Sequence, residues 1–185
     1  MSAPLNLRTS AAILETAAHL LAEHDASMTE IAAAAGVGRA TLYRYYPTRD
    51  ALLAALAVQA LDEITERVAD ARLENVPADE GIERLARVLL TVADRYVVLV
   101  RERVKADDAE SEERLGRPLR DLFERGIREG VLRADLPVDA QLQLFASNIT
   151  SALHNNLQRD LGIEQTAATL TSFFLDGARR RPADD

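Results

Sequence analysis

The side chains best suited to chemistry in this sequence lie close together, between residues 38 and 49. The stretch carries three arginines, three of the four tyrosines of the chain, and no acidic residue before Asp50. The whole chain, by contrast, has a formal net charge of −8. Guanidinium, phenol and hydroxyl groups on one locally basic segment are typical of a surface that contacts a polyanion such as nucleic acid.

Two short helices joined by a glycine turn are predicted to position these side chains. Ser27 and Glu30 have the spacing of a capping box, in which each side chain bonds the amide of the other residue. Apolar residues between 28 and 35 follow a helical period, and Gly36 stands where a left-handed residue would end the helix. A second helix is predicted from Gly38 to Tyr46. Helix, tight turn and helix in this order predict a helix-turn-helix.

A helical wheel separates the second helix into two faces. Leu42 and Tyr46 share the inward face, whereas Ala40, Thr41, Tyr43 and Arg44 point largely away from it. Tyr46 is therefore predicted to pack in the core.

The run Gly-Val-Gly-Arg-Ala-Thr-Leu-Tyr-Arg-Tyr-Tyr-Pro-Thr-Arg-Asp-Ala-Leu-Leu, which starts at Gly36, closely resembles the signature of the tetracycline-repressor (TetR) family of bacterial transcription regulators. The similarity covers residues 8 to 56, and two positions depart from the family pattern. Tyr45 replaces the usual histidine and still offers a donor to phosphate, whereas Gly38 replaces a polar residue and removes one contact.

The resemblance implies that the second helix enters the major groove of DNA, where base edges are distinguishable. Arg39 is the predicted base reader, because arginine donates twice to guanine. Ala40 and Thr41 are predicted to contact a thymine methyl group or a backbone oxygen.

The remaining predicted contacts are with the DNA backbone. Tyr43 and Tyr45 match positions that often touch phosphate in the family, although a core position is an equal alternative for Tyr45. Arg44 is either a solvated charge or a phosphate contact. Thr29 and Arg49 are predicted to bind phosphates on either side. The full set of predicted DNA-binding residues is Thr29, Gly38, Arg39, Ala40, Thr41, Tyr43, Arg44, Tyr45 and Arg49.

The rest of the sequence predicts only helices. A long helix, capped by Thr48, is predicted from Ala51 to Leu73 as the link to a second domain. Asp79 is predicted to cap the next helix, and the apolar run at residues 97–100 is interpreted as buried helix because it lacks a partner strand. Leu115-Gly-Arg-Pro predicts a break before a helix over residues 118–129.

The predicted fold is all-α, with about nine helices. By resemblance to the family, residues 1–50 are predicted to form an N-terminal three-helix helix-turn-helix domain, and residues 51–185 a C-terminal helical ligand-binding and dimerisation domain. The last two helices, over about 138–159 and 163–180, carry wide apolar stripes and small residues. In the family that the chain resembles, this pair forms a four-helix dimer interface, so a homodimer on palindromic double-stranded DNA is predicted in preference to simple core packing.

Composition narrows the function classes. The chain has no cysteine, which excludes disulfides and thiolate zinc sites. Neither a membrane span nor a signal peptide is indicated, so a cytoplasmic protein is expected. No histidine–carboxylate cluster, nucleophile motif or phosphate-binding loop occurs, so we predict no enzyme activity, catalytic residue, cofactor or metal.

The predicted function is a sequence-specific, DNA-binding transcriptional regulator. By resemblance, it is a repressor that an unidentified small-molecule effector releases from a palindromic operator. The alternatives are an all-α small-molecule-binding protein or enzyme, an architectural DNA-binding dimer without an inducer, and an activator. The sequence assigns no effector residue, because the interior candidates have structural interpretations: Tyr96, Arg103, Phe123, His154 and Asn155.

Overall fold

The computed structural model describes residues 5–104 and 108–178, and these residues form helices and turns without any strand. The predicted all-α class is confirmed. The helices are α1 (Leu5–Glu23), α2 (Met28–Ala34), α3 (Arg39–Tyr45), α4 (Arg49–Asp70), α5 (Ala78–Arg95), α6 (Val97–Arg101), α7 (Asp108–Ser111), α8 (Arg117–Arg128), α9 (Val138–His154), α10 (Leu157–Leu161) and α11 (Ile163–Ala178). The predicted end of the last helix, at Arg180, lies outside the described residues.

The described residues divide into two compact units. The first unit comprises residues 5–61 and 93–104, and the second comprises 62–92 and 108–178. The first unit extends further along α4 than the predicted domain boundary at residue 50. The functional division into residues 1–50 and 51–185 stays a prediction.

The core of the first unit is built from the inward faces of α1, α2, α3, α4 and α6. Each helix contributes apolar side chains that are almost fully buried: Ile13, Ala17, Leu21, Ile31, Leu42, Leu52, Leu56, Val97 and Val98. The apolar run at residues 97–100 lies within α6, so its interpretation as buried helix is confirmed.

Three phenylalanines form the centre of the second unit. The ring centroids of Phe123 and Phe145 are 5.7 Å apart, and those of Phe145 and Phe174 are 5.2 Å apart. Both pairs meet edge to face, the arrangement that the aromatic quadrupole favours. The three rings tie α8, α9 and α11 into one core.

The predicted break at Leu115–Pro118 is wrong. Residues 108–128 are helical throughout, with a π-helical turn over Glu112–Gly116 between α7 and α8. In a regular α-helix the Pro118 ring would clash with the carbonyl of Arg114 and remove one hydrogen bond. Widening of the preceding turn accommodates the proline without ending the helix.

Two further boundaries differ from the sequence prediction. The helix expected over 138–159 is divided into α9 and α10 at Asn156, whose φ of +56° is a left-handed conformation that asparagine tolerates. Asp79 does not cap α5, because α5 already begins at Ala78. The amide of Ala78 donates instead to the Glu129 carboxylate, at 2.8 Å.

Candidate nucleic-acid interface

The turn between α2 and α3 is fixed by its own short-range hydrogen bonds. The amide of Ser27 donates to the Glu30 carboxylate at 2.8 Å, and the amide of Glu30 donates to the Ser27 hydroxyl at 3.3 Å. Hydrogen bonding of the Glu30 carboxylate with the side chain of Ser27, and then with its backbone amide, holds the pKa of Glu30 below its usual value. Gly36 follows α2 with φ of +66°, and the amide of Val37 returns to the carbonyl of Ala32. The predicted capping box and left-handed glycine are both confirmed.

Two side chains, one aliphatic and one aromatic, pack the inward face of α3 and its C-terminal end into the core. Leu42 is fully buried, and Tyr46 is nearly so. The hydroxyl groups of Tyr46 and Ser10 lie 2.7 Å apart and share a hydrogen bond. The inward position predicted for Tyr46 is confirmed, and its bond with Ser10 ties the end of α3 to α1.

The outward face of α3 presents the predicted reading residues to solvent. Arg39, Ala40 and Arg44 are exposed, and Tyr43 retains 40% of its accessible surface. Thr41 is half-buried at the edge of the same face. A helix with arginine, hydroxyl and phenol groups on its free side has the donors that bind base edges and phosphate oxygens.

Tyr45 and Arg44 support each other at the end of α3. The guanidinium carbon of Arg44 lies 5.4 Å from the centroid of the Tyr45 ring, within the range of a cation–π interaction. Tyr45 is half-buried, and its ring lies 6.4 Å from that of Tyr46. The pair therefore combines a positive charge and a phenol at one edge of the exposed face.

Two predicted positions flank α3. Gly38 is the N-cap of α3 with φ of −69°, and it offers no side-chain hydrogen bond to the first turn. Thr29, in the first turn of α2, is exposed. Phosphate contacts by Thr29 and by the exposed residues of α3 stay predictions.

Arg49 has an internal role that the sequence did not predict. Its Nη1 donates to the carbonyl of Ala26 at 2.8 Å, and its Nη2 donates to Asp25 at 2.6 Å. Nη2 also lies 3.7 Å from a carboxylate oxygen of Glu102. The guanidinium thus braces the loop between α1 and α2. A contact with phosphate stays a prediction for Arg49, but the structure supports a positioning role better.

Sequence reasoning also missed the anchorage of α6 within the same unit. The guanidinium of Arg101 donates to the carbonyl of Leu21, 80 residues earlier in the chain. Arg101 thus secures the end of α1, and its neighbour Glu102 lies near Arg49, which binds the loop that precedes α2. No local pattern identifies such a pair, because each partner on its own resembles a solvated charge.

Two cavities are formed by described residues of the second unit. One has a volume of about 520 Å³ and adjoins α4 and α8; the other, of about 660 Å³, adjoins α5, α8 and α9. None of the five interior candidates considered from the sequence lines either cavity. Tyr96 and Phe123 are buried in the cores, and His154 and Asn155 are exposed.

An exposed surface with apolar members follows α9 and α11. Leu144 retains 55% and Phe173 retains 76% of their accessible surface. Small and polar residues are also exposed on these two helices, among them Ser147, Asn148, Ser151, Ala168 and Ser172. An aromatic side chain this exposed is suited to burial against a partner.

Metal and membrane sites find no support in the described residues. Within 5–104 and 108–178, no group of three or more histidine, cysteine, aspartate or glutamate side chains is placed to hold a metal ion. None of the helices in that part of the chain combines the length and the apolarity that crossing a bilayer requires.

The chain is similar to known bacterial regulators. The profile described as "Bacterial regulatory proteins, tetR family" matches residues 13–56. The HTH-type transcriptional repressor LfrR of Mycolicibacterium smegmatis is 44% identical over 79 residues, which span 42% of each chain. The HTH-type transcriptional regulator NfxB of Pseudomonas aeruginosa is 29% identical over 158 residues, covering 83% of this chain and 84% of NfxB.

The fold is likewise that of a solved regulator. The crystal structure of LfrR in complex with proflavine has a TM-score of 0.74 and 26% identity, covering 95% of this chain and 99% of that one. The matched region of the family profile includes α2, the glycine turn and α3, which carry the exposed basic and aromatic face described above.

Proposed function

Since the chain belongs to the tetR family of bacterial regulatory proteins, we propose that it is a homodimeric transcriptional repressor that a small molecule releases from a palindromic operator. The relatives LfrR and NfxB are a transcriptional repressor and a transcriptional regulator. A role on chromosomal DNA agrees with a cytoplasmic location.

The observation that carries the proposal is the solvent-facing side of α3. Arg39, Ala40 and Tyr43 are exposed on it, while Leu42 seats the opposite side in the core. One side of α3 is therefore packed in the core, and the opposite side is accessible to a partner. An α-helix with one exposed face of this kind fits the major groove of B-DNA.

Each exposed side chain has a distinct proposed role. Arg39, in the first turn of α3, donates two hydrogen bonds to a guanine edge. Thr41 contacts a thymine methyl group or a backbone oxygen, and Ala40 lies close to the base edges. Tyr43 and Tyr45 donate to phosphate, and Arg44 adds a positive charge beside Tyr45.

A homodimer is proposed through α9 and α11. Leu144 and Phe173 are the large apolar side chains that the single chain leaves exposed on these helices. Burying them against a second copy removes apolar surface from water. Two-fold symmetry then presents two copies of α3, which a palindromic operator requires.

Release by a small molecule requires that the molecule bind the DNA-free geometry more tightly than the DNA-bound one. The two cavities of the second unit offer room for such an effector. The solved complex of LfrR with proflavine supports a ligand of aromatic character. α4, which extends without interruption from Arg49 to Asp70, is the proposed mechanical link.

Selection of bound duplexes from random DNA tests the function. We expect recovery of a palindrome, followed by binding of the full chain as a dimer in a mobility-shift titration. Arg39→Ala is expected to cost about 1–3 kcal/mol at one base pair of each half-site and little elsewhere. Arg128→Ala is the matched control, because Arg128 is also an exposed helical arginine but lies in α8.

Two results would count against the proposed function: selection that returns unrelated sequences, and a chain that stays monomeric at high concentration. Equal weakening of all duplexes by Arg39→Ala would count only against base reading by Arg39, and would assign this residue to a phosphate.

A further inference from the structure

The larger cavity of the second unit has an apolar interior. Its walls come from α5, α8 and α9, and its volume is about 660 Å³. Most of the side chains that line its interior carry no charge: Leu85, Leu89, Leu119, Leu142, Phe145 and Ala146. An organic molecule with a hydrophobic body is therefore the kind of occupant that the interior favours.

Three charged groups line the same cavity, and they form one ion-pair network. Arg120 donates through Nη2 to a carboxylate oxygen of Glu112 at 3.1 Å, and through Nη1 to Asp139. The two carboxylates are largely exposed, at 66% for Glu112 and 73% for Asp139. The guanidinium thus stands between two acids, and the three groups together carry one net negative charge.

Glu112 begins the π-helical turn, and its carboxyl group packs against the glycine that ends this turn. A Cβ atom on Gly116 would overlap the Glu112 carboxyl group, so the carboxyl packs directly over the glycine backbone. From there it extends to Arg120. The Glu112 carboxyl group therefore lies over the backbone of residue 116, beside the cavity.

The charge pattern favours a positively charged ligand. A cation that displaces Arg120 takes over an environment already arranged for a positive charge, and exposed ion pairs of the kind it breaks contribute little stability. An anion would have to compete with two carboxylates for one guanidinium.

The charged residues that line the smaller cavity carry a net positive charge, opposite to that of the larger cavity. It is lined by Arg114, Arg117 and Arg125, against the acids Glu74 and Asp121. A test of ligand charge must therefore distinguish the two cavities, and Asp121 provides the means to do so.

We propose that the cavity between α5, α8 and α9 binds a lipophilic organic cation, whose charge Glu112 and Asp139 recognise after it displaces Arg120. The assignment rests on the proposed function only in naming this cation as the effector class. Arg120 is the internal competitor of the ligand, which makes binding an exchange of one cation for another.

Two probes of nearly equal size and opposite charge test the ligand class. Tetraphenylphosphonium and tetraphenylborate differ in charge while sharing four phenyl groups, and titration calorimetry on the full chain without DNA measures both. We expect the phosphonium to bind at least tenfold more tightly than the borate, with an affinity that falls as salt increases. Equal affinities, or tighter binding of the borate, would overturn the proposal.

Substitutions at the charged network test the site. The double variant Glu112→Gln/Asp139→Asn should weaken phosphonium binding at least tenfold without weakening the borate. Arg120→Gln should tighten phosphonium binding several-fold, because it removes the competitor. All three side chains are at least partly exposed, so the variants are expected to fold, and their melting temperatures check this.

Two control variants separate this cavity from other acidic surfaces. Glu124→Gln removes an exposed acid of α8 that lines neither cavity, and Asp121→Asn removes an acid of the smaller cavity. Both should leave phosphonium affinity unchanged. Loss of affinity in Asp121→Asn with none in the double variant would place the cation in the smaller cavity and refute the assignment.

Failure of the proposed function remains distinguishable from failure of this site. Binding is measured without DNA, so a chain that ignores all duplexes can still show the expected preference for the cation. Conversely, a chain that binds its operator but shows no charge preference retains the proposed regulator function and loses only the ligand assignment.

Discussion

Replacement of Arg49 distinguishes an internal brace from a DNA contact. In the structure, the Arg49 guanidinium donates to the carbonyl of Ala26 and to Asp25, and it also lies near Glu102. Arg49→Ala removes all of these interactions. Arg49→Lys keeps the positive charge but cannot reproduce the fork that binds two acceptors at once.

The expected loss of stability follows from these partners. The Arg49 side chain is 30% exposed, and a hydrogen bond from a charged donor to a carbonyl contributes about 1.5–3 kcal/mol. The ion pair with the solvated Asp25 adds about 0.2–1 kcal/mol at most. We therefore expect Arg49→Ala to lower the free energy of unfolding by about 2 kcal/mol, which corresponds to a decrease in Tm of roughly 4–8 °C for a chain of this length.

Two measurements separate the roles. Urea denaturation gives the loss of stability, and titration of operator DNA at several salt concentrations gives the number of phosphate contacts. Each phosphate contact contributes about 0.9 to the slope of log affinity against log salt. For an internal brace, Arg49→Lys should lose most of the stability that Arg49→Ala loses, and both variants should keep the wild-type slope.

The opposite pattern would refute this reasoning. If Arg49 binds phosphate, Arg49→Ala should lower the slope by about one for each protomer with little loss of stability, and Arg49→Lys should resemble the wild type in both measurements. Arg128→Ala serves as the control, because Arg128 lies in α8 of the second unit. This substitution should change neither the free energy of unfolding nor the salt slope.

Further predictions concern the turn, the α2 cap and the second core. Gly36→Ala should lower the free energy of unfolding by about 1–2 kcal/mol, because a Cβ atom at a left-handed residue is strained even where no other atom is near. Gly38→Ser, at φ of −69°, should instead raise the free energy of unfolding by about a few tenths of a kcal/mol by capping α3. Equal effects of the two substitutions in urea denaturation would contradict this contrast. The pKa of Glu30 is lowered by its hydrogen bonds with Ser27. The stability that these bonds give the folded chain is therefore present above the pKa of Glu30 in the unfolded chain, and it is lost as pH falls through the lower pKa of the folded chain. Glu30→Gln should reduce this loss of stability at acid pH, as measured in unfolding experiments. Phe145→Ala should cost about 3–5 kcal/mol because it leaves a cavity between two other rings, and a loss below 1 kcal/mol would show that the core collapses to fill it.

Short-range signals in the sequence predicted the helix-turn-helix well. The capping box and the left-handed Gly36 each act over a few residues, so the residue types alone specify the hydrogen bonds. The wheel position of Tyr46 predicted its burial for the same reason, since a helical period fixes which side chains face inward.

Long-range partners could not be predicted in this way. The amide of Ala78 is capped by Glu129, 51 residues away, rather than by the adjacent Asp79. Arg49 meets Asp25 from 24 residues away. A charged residue offers the same local pattern whether it faces solvent, DNA or a carbonyl of its own unit, and only the packed structure decides among them.

Ambiguous signals account for the remaining differences. Pro118 after Gly116 predicts the end of a helix, yet a π-helical turn solves the same steric problem while the helix continues. Asn156 interrupts a stripe of apolar residues that continues on both sides, so periodicity predicted one helix where the structure has two. In both cases the local sequence is compatible with two backbone paths.

The solvent-facing Phe173 has a consequence for how such a regulator responds to its own abundance. At 76% exposure, this ring gives a lone subunit a reason to associate. If subunits pair through this surface, as we propose, pairing obeys mass action, and the population of dimers grows with the square of subunit concentration while subunits are scarce. A modest change in synthesis or degradation would then produce a disproportionate change in the occupancy of a two-fold operator, even before any effector is present.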